Sequence, residues 1–187
     1  MQLDGYNPMF ENMLDHPNIT LELNTDALKR LKLEDGVIKL DGEVFDGPVI
    51  YTGQADELFG FRFGPLPYRT LDFGFETLPQ DAFQTHGTVN YTVDQPYTRI
   101  TEFKHLTGQE KPDATTIMKE YSKACTGADG EIPYYAIINP ENNALYAKYK
   151  AEADKKQQLH LLGRLAEYKY YNMDAIAARA LELAERL

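Results

Sequence analysis

Two arginines stand beside tyrosines in alternating, apolar surroundings: Tyr68-Arg69 and Tyr97-Thr98-Arg99. A guanidinium can grip phosphate oxygens two at a time, and a neutral phenol adds a donor for phosphate or sugar hydroxyls. The pairing is therefore chemistry for an anionic, hydroxyl-rich ligand. Further tyrosines fall in pairs, Tyr134-Tyr135 and Tyr170-Tyr171, in a chain with thirteen tyrosines and no tryptophan. A third arginine, Arg164, follows Gly163 after the short apolar run from Leu159. An aromatic cluster and a polar residue, Asn172, then open the last helix, whose first N–H groups can face an anion or an electron-rich ring. Each feature has an ordinary explanation as well. Tyrosines suit half-buried strands, an arginine such as Arg99 with Glu102 nearby can pair with a carboxylate, and Asn172 can simply cap its helix.

The charge balance narrows the ligand. A net charge of −10 and a pI near 4.8 exclude a general nucleic-acid or membrane-surface binder, because both need a long-range positive field. An anion must be held by a local cluster of arginine and tyrosine. Cys125 is the single cysteine, so there is no intrachain disulfide and no thiolate metal cage, and the four histidines lack ligand spacing. With no leader pattern and no apolar run of spanning length, a soluble, cytoplasmic protein is expected.

The elements that must position these residues can be read from periodicity. Pro8 to Asp15 reads as a helix, with Met9, Phe10, Met13 and Leu14 on one side. Ile19 to Leu23, Val37 to Leu40 and Val49 to Thr52 read as strands. Asp-Gly turns fall at Asp35-Gly36, Asp41-Gly42 and Asp46-Gly47. Asp56 to Gly60 is a short helix. Thr70 to Phe75, Thr88 to Thr92 and Arg99 to His105 form successive strands of an antiparallel meander, followed by Thr115 to Tyr121 and a Gly-rich loop at Gly127 to Gly130. Glu141 to Lys156 is a surface helix. The terminal helix sets Met173, Ile176, Ala177, Ala180, Leu181 and Ala184 on a stripe that should be packed. The fold class expected is α+β, an antiparallel sheet flanked by helices, with a strand-helix unit at the C-terminal end.

Several runs are more specific. They are Gly5-Tyr6-Asn7-Pro8-Met9-Phe10, Ile50-Tyr51-Thr52-Gly53, Phe59 to Leu71 (FGFRFGPLPYRTL), Tyr97 to His105 (YTRITEFKH) and Gly163 to Tyr170 (GRLAEYKY). In this order they closely resemble the UDP-galactopyranose mutase family, over nearly the whole chain but only the C-terminal half of the family's sequence. The family's N-terminal dinucleotide-binding unit and mobile helical-domain loop are expected to be absent. Consistently, none of the thirteen glycines forms G-x-G-x-x-G.

The resemblance implies an isomerase that interconverts UDP-galactopyranose and UDP-galactofuranose through an adduct on N5 of reduced FAD, with no net redox change. It implies that the C-terminal strand and helix belong to a Rossmann-like FAD domain. Residues 1–17 would be a residual helical-domain segment, 18–135 the sheet-bearing substrate domain with some FAD-domain strands, and 136–187 the segment completing the FAD domain. Arg69 and Arg99 match arginines near the sugar diphosphate; Tyr6, Tyr135 and Tyr170 match phenol donors to it, and Asn90 an asparagine beside the sugar phosphate. Arg164 matches the arginine that touches FAD, and Asn172, Met173 and Asp174 should line the flavin edge, with Asn172 standing where many relatives carry aspartate. No catalytic side chain is implied, the flavin being the nucleophile. The chain by itself is expected to lose FAD and activity, and to dimerise or aggregate through apolar faces shaped for absent elements. The competing readings are a UDP-sugar binding module without chemistry and a piece of another flavin oxidase, against which the Tyr97 to His105 run argues.

Overall fold

The computed structural model describes residues 5–34 and 36–187, so Asp35 of the first Asp-Gly turn lies outside the described residues. In chain order the elements begin with α1 (Asn7–Leu14), α2 (Ala27–Arg30), β1 (Leu31–Glu34), β2 (Val37–Leu40), β3 (Glu43–Val44), β4 (Val49–Tyr51) and α3 (Ala55–Leu58). There follow β5 (Tyr68–Leu78), β6 (Thr88–Asn90), β7 (Arg99–Glu102), α4 (Lys104–Thr107) and β8 (Thr115–Ala124). The chain closes with β9 (Tyr135–Ala136), α5 (Pro140–Asp154), β10 (Leu159–Leu161) and α6 (Met173–Ala184). The architecture is α+β. The chain divides into two compact units, one of Met1–Asn24 with Leu71–Lys123 and one of Thr25–Thr70 with Ala124–Leu187.

In the first unit β6, β7 and β8 form an antiparallel ladder, with β5 beside β8. Ile100 and Ile117 are fully buried, and so is the carboxylate of Glu102. The strand expected from Arg99 to His105 ends at Glu102, because the chain then turns into α4, closed by Gly108 in the left-handed region (φ 69°). The expected strand from Ile19 to Leu23 does not form, and Ile19, Leu21 and Leu23 are exposed. Alternation makes a strand only where a neighbour completes the ladder. α1 forms where the spacing places it, with Pro8 in its first turn, yet it buries no residue, and Phe10 and Met13 face solvent.

The second unit holds the larger apolar core, in which Ile38, Ala55, Tyr149 and Ala166 are fully enclosed. β1, β2 and β3 form an antiparallel meander. Its two-residue turn, Asp41-Gly42, takes positive φ at both positions (54° and 87°), the mirror-image turn that matches strand twist. β4 and β10 pair in parallel, Val49 opposite Leu159 and Tyr51 opposite Leu161. Asn139 caps α5 by accepting from Asn142 N at 2.8 Å, and Pro140 occupies the first turn. α6 departs from expectation. Only Leu183 is buried, Ile176 and Ala180 are half-buried, and Met173 and Leu181 of the expected stripe are exposed. Among the described residues no helix is long and apolar enough to cross a membrane, and no group of side chains is arranged to hold a metal ion.

Candidate functional site

The second unit lines up four of the residues singled out from sequence. Along β5 the side chains alternate, so Tyr68 and Thr70 are buried and Arg69 is exposed. β9 pairs antiparallel with the start of β5, placing Tyr135 opposite Arg69 on the same face. The Tyr135 ring stacks at 6.2 Å and 23° on Tyr170, and the Arg164 guanidinium lies 4.4 Å from the Tyr170 ring centroid. Arg69, Tyr135, Tyr170 and Arg164 thus form one row, two stacked phenols with a guanidinium at each end. Tyr170 is 57% exposed, so its phenol is available to a ligand.

The strap of chain that precedes β5 is pinned to the core. Residues 63–67, which lead into Arg69, give their backbone groups to buried side chains. Tyr149 Oη accepts from Phe63 N at 3.1 Å and donates to Gly64 O at 2.6 Å, while Asp56 Oδ2 accepts from Leu66 N at 2.8 Å. Tyr168 Oη donates to Pro67 O at 2.5 Å and lies 3.2 Å from Ile137 O. Burial pushes the phenols of Tyr68, Tyr149 and Tyr168 above the usual tyrosine range, so they act as neutral donors. Burial likewise raises the Asp56 carboxyl, partly offset by the Leu66 N–H, and Asp56 Oδ1 has no hydrogen-bond partner among the described residues.

At the C-terminal turn Gly163 takes φ 106°, a conformation that favours glycine, and its N–H donates to Glu167 Oε2 at 3.0 Å. Arg164 Nε donates to Tyr171 O at 2.7 Å, which fixes the guanidinium against Tyr170. Asn172 occupies the N-cap position of α6 but makes no side-chain capping bond, and Asp174 stands in the first turn. The capping explanation for Asn172 is therefore not realised. Met173 is 58% exposed beside it.

The first unit holds the remaining candidates. Arg99 lies opposite both Asn90 and Glu120 in the ladders, donating through Nε to Asn90 Oδ1 at 2.9 Å and approaching Glu120 Oε1 at 3.6 Å. The carboxylate facing Arg99 is Glu120 and not Glu102, since Glu102 alternates to the other face of β7. Glu102 instead accepts from Phe83 N, Gln84 N and the Thr115 hydroxyl at 2.9, 2.8 and 2.5 Å. Tyr6 precedes α1 as its N-cap residue and is 37% exposed.

The family model described as UDP-galactopyranose mutase matches residues 1–170 of this chain. The chain belongs to the UDP-galactopyranose mutase family. Among curated relatives it is 36% identical over 183 residues to a dTDP-fucopyranose mutase of Escherichia coli, covering 97% of this chain and 47% of that protein. It is 37% identical over 182 residues to a probable UDP-galactopyranose mutase of Klebsiella pneumoniae (97% of this chain, 44% of the relative). The UDP-galactopyranose mutase of Mycoplasma genitalium is 37% identical over 187 residues (98% and 46%). The chain spans about half the length of the mutases it matches.

Against this family background, two features escape the sequence. Glu120 lies twenty-one positions from Arg99 and becomes its neighbour only through the β7–β8 register. Tyr168 looks like one more member of an aromatic run until the fold places it inside, 2% exposed.

Proposed function

We propose that this chain is the part of a UDP-galactopyranose mutase that grips the nucleotide-sugar diphosphate, in an enzyme that interconverts UDP-galactopyranose and UDP-galactofuranose. The observation that carries the reading is the row Arg69, Tyr135, Tyr170 and Arg164, formed by residues on three separate stretches of a chain in this family. In the second unit Arg69 neutralises the diphosphate and Tyr135 and Tyr170 donate phenol protons to its oxygens; the first unit offers the same two kinds of group in Arg99 and Tyr6. Asn90 holds Arg99 by one N–H and faces the sugar phosphate. Glu120 keeps the Arg99 guanidinium oriented while a ligand is absent, and gives way to phosphate because a bidentate contact is the stronger one.

Reduced FAD would supply the nucleophile, its N5, for the anomeric carbon. The residues present fit the ring end of such a group. Arg164 is anchored through Nε, Met173 offers an exposed apolar side chain, and the first N–H groups of α6 receive no side-chain cap from Asn172. A cradle for the pyrophosphate is not provided by any glycine pattern in this sequence, so tight FAD retention and turnover require more than this chain.

Calorimetric titration with UDP-galactose tests the reading. Saturable binding that UDP competes away, uridine does not, and salt weakens is the expected result. Binding of uridine as tight as that of UDP would refute it, since the cluster would then not be reading the diphosphate. A second reading, a dTDP-sugar as substrate, is favoured by the likeness to the dTDP-fucopyranose mutase, and competition between UDP and dTDP decides it.

A further inference from the structure

The row of cationic and phenolic groups is assembled by very little backbone. β9 is two residues long and its ladder with β5 contains only Tyr68 opposite Ala136 and Arg69 opposite Tyr135. So short a pairing does not hold its own register. At its end Ile137 N donates to Pro67 O at 3.1 Å, and the Tyr168 hydroxyl is inserted there, bonded to Pro67 O and within reach of Ile137 O. Asn142 Nδ2 donates to Ile137 O at 2.7 Å from the other side. The Tyr168 ring is held edge-on by Tyr68 (5.3 Å, 78°) and stacked by Tyr146 (5.7 Å, 23°). Its backbone sits at φ 47°, a left-handed conformation that a residue with a Cβ adopts only when its surroundings impose it.

We propose that Tyr168 is a positioning residue for the diphosphate site: its hydroxyl ties the strand that carries Arg69 to the strand that carries Tyr135, while its own backbone, two residues on, delivers Tyr170. The inference rests on the proposed anion-gripping role of that row. One side chain thereby sets the spacing of three ligand-facing groups without touching the ligand, and the left-handed turn at Tyr168 lets residues 169–171 leave the core for the surface. Tyr149 provides the comparison. It is equally enclosed and bonds the same strap through Phe63 N and Gly64 O, but it makes no link to β9 or to Tyr170.

The test uses the full chain and UDP as probe, with Tyr168→Phe and Tyr149→Phe compared by calorimetry and by urea unfolding. Both variants keep the ring and lose hydrogen bonds, so both should lower the urea midpoint. Tyr168→Phe alone is expected to weaken UDP by about tenfold, and Tyr149→Phe by less than about twofold. If Tyr168→Phe does not fold, Asn142→Ala strips the other donor from Ile137 O and should weaken UDP about threefold. Equal UDP affinity in the wild type and Tyr168→Phe, or equal losses in the two tyrosine variants, overturns the positioning role and leaves the binding reading standing. No UDP binding by the wild type overturns both.

Discussion

Replacing Glu102 with glutamine removes one charge and one acceptor from a fully buried group. Glu102 Oε1 serves Phe83 N and the Thr115 hydroxyl, and Oε2 serves Gln84 N, with His105 Nε2 3.4 Å away. Glutamine has a single oxygen. Thr115 can rotate to accept from the new amide, but whichever way the amide is set, Phe83 N–H or Gln84 N–H then faces another N–H. One buried donor without a partner costs about 1–3 kcal/mol, and the bonds that survive lose their charge assistance, so the whole change should cost about 2–4 kcal/mol. Urea unfolding at pH 7 reads that loss, and amide exchange at Phe83 and Gln84 locates it.

The pH dependence gives the same prediction a second edge. Burial pushes the Glu102 carboxyl up, but the bonds from Thr115, Phe83 and Gln84 and the neighbouring His105 outweigh it and hold the group below its ordinary 4.5. A depressed carboxylate contributes stability that is present above the unfolded value and lost as pH falls through the folded one. The gap between wild type and Glu102→Gln should therefore be full at pH 7 and should close as the pH is taken below about 4. A gap under about 0.5 kcal/mol at pH 7, or one that persists undiminished at pH 3, would refute the reasoning.

Three further outcomes follow from the same geometry. Asp56 is raised by burial, so its contribution is present below the ordinary carboxylate range and lost as pH rises through the folded value; Asp56→Asn, which keeps an acceptor for Leu66 N, should match or exceed the wild-type urea midpoint at pH 8 and lose that advantage at pH 4. Gly163→Ala meets no close atom, the nearest being Thr52 Cβ at 3.9 Å, so its cost should be conformational, about 1 kcal/mol in thermal unfolding, and a neutral result would contradict the left-handed turn. Glu120→Gln removes the carboxylate beside Arg99 and should tighten UDP binding severalfold in a titration; weaker binding would show Glu120 to be needed for more than holding the guanidinium.

Much of the architecture is legible from local signals. Pro8 marks a helix start, the helix formers from Glu141 onward mark another, Asp41-Gly42 marks a turn between strands, and the Val37, Val49, Thr88 and Thr115 runs become strands because each finds a partner. The failures share a cause. Ile19 to Leu23 has the alternation of a strand without a ladder, and α6 has apolar residues on two sides, so periodicity alone does not say that the Leu183 side is inside. The candidate site residues rest on motif likeness and on arginine standing beside tyrosine, not on periodicity. Pairings such as Arg99 with Glu120, or Tyr168 with Pro67, depend on register and long-range packing that spacing does not encode.

The central claim is that this chain itself grips a nucleoside diphosphate through its arginines. Calorimetric titration of UDP into the wild type, Arg69→Ala and Arg99→Ala at low salt tests it most directly. The expected result is saturable binding by the wild type, at least about tenfold weaker in each variant, with an affinity that falls as salt is raised. Absence of heat with the wild type at millimolar UDP, or affinities unchanged by both substitutions, would contradict it.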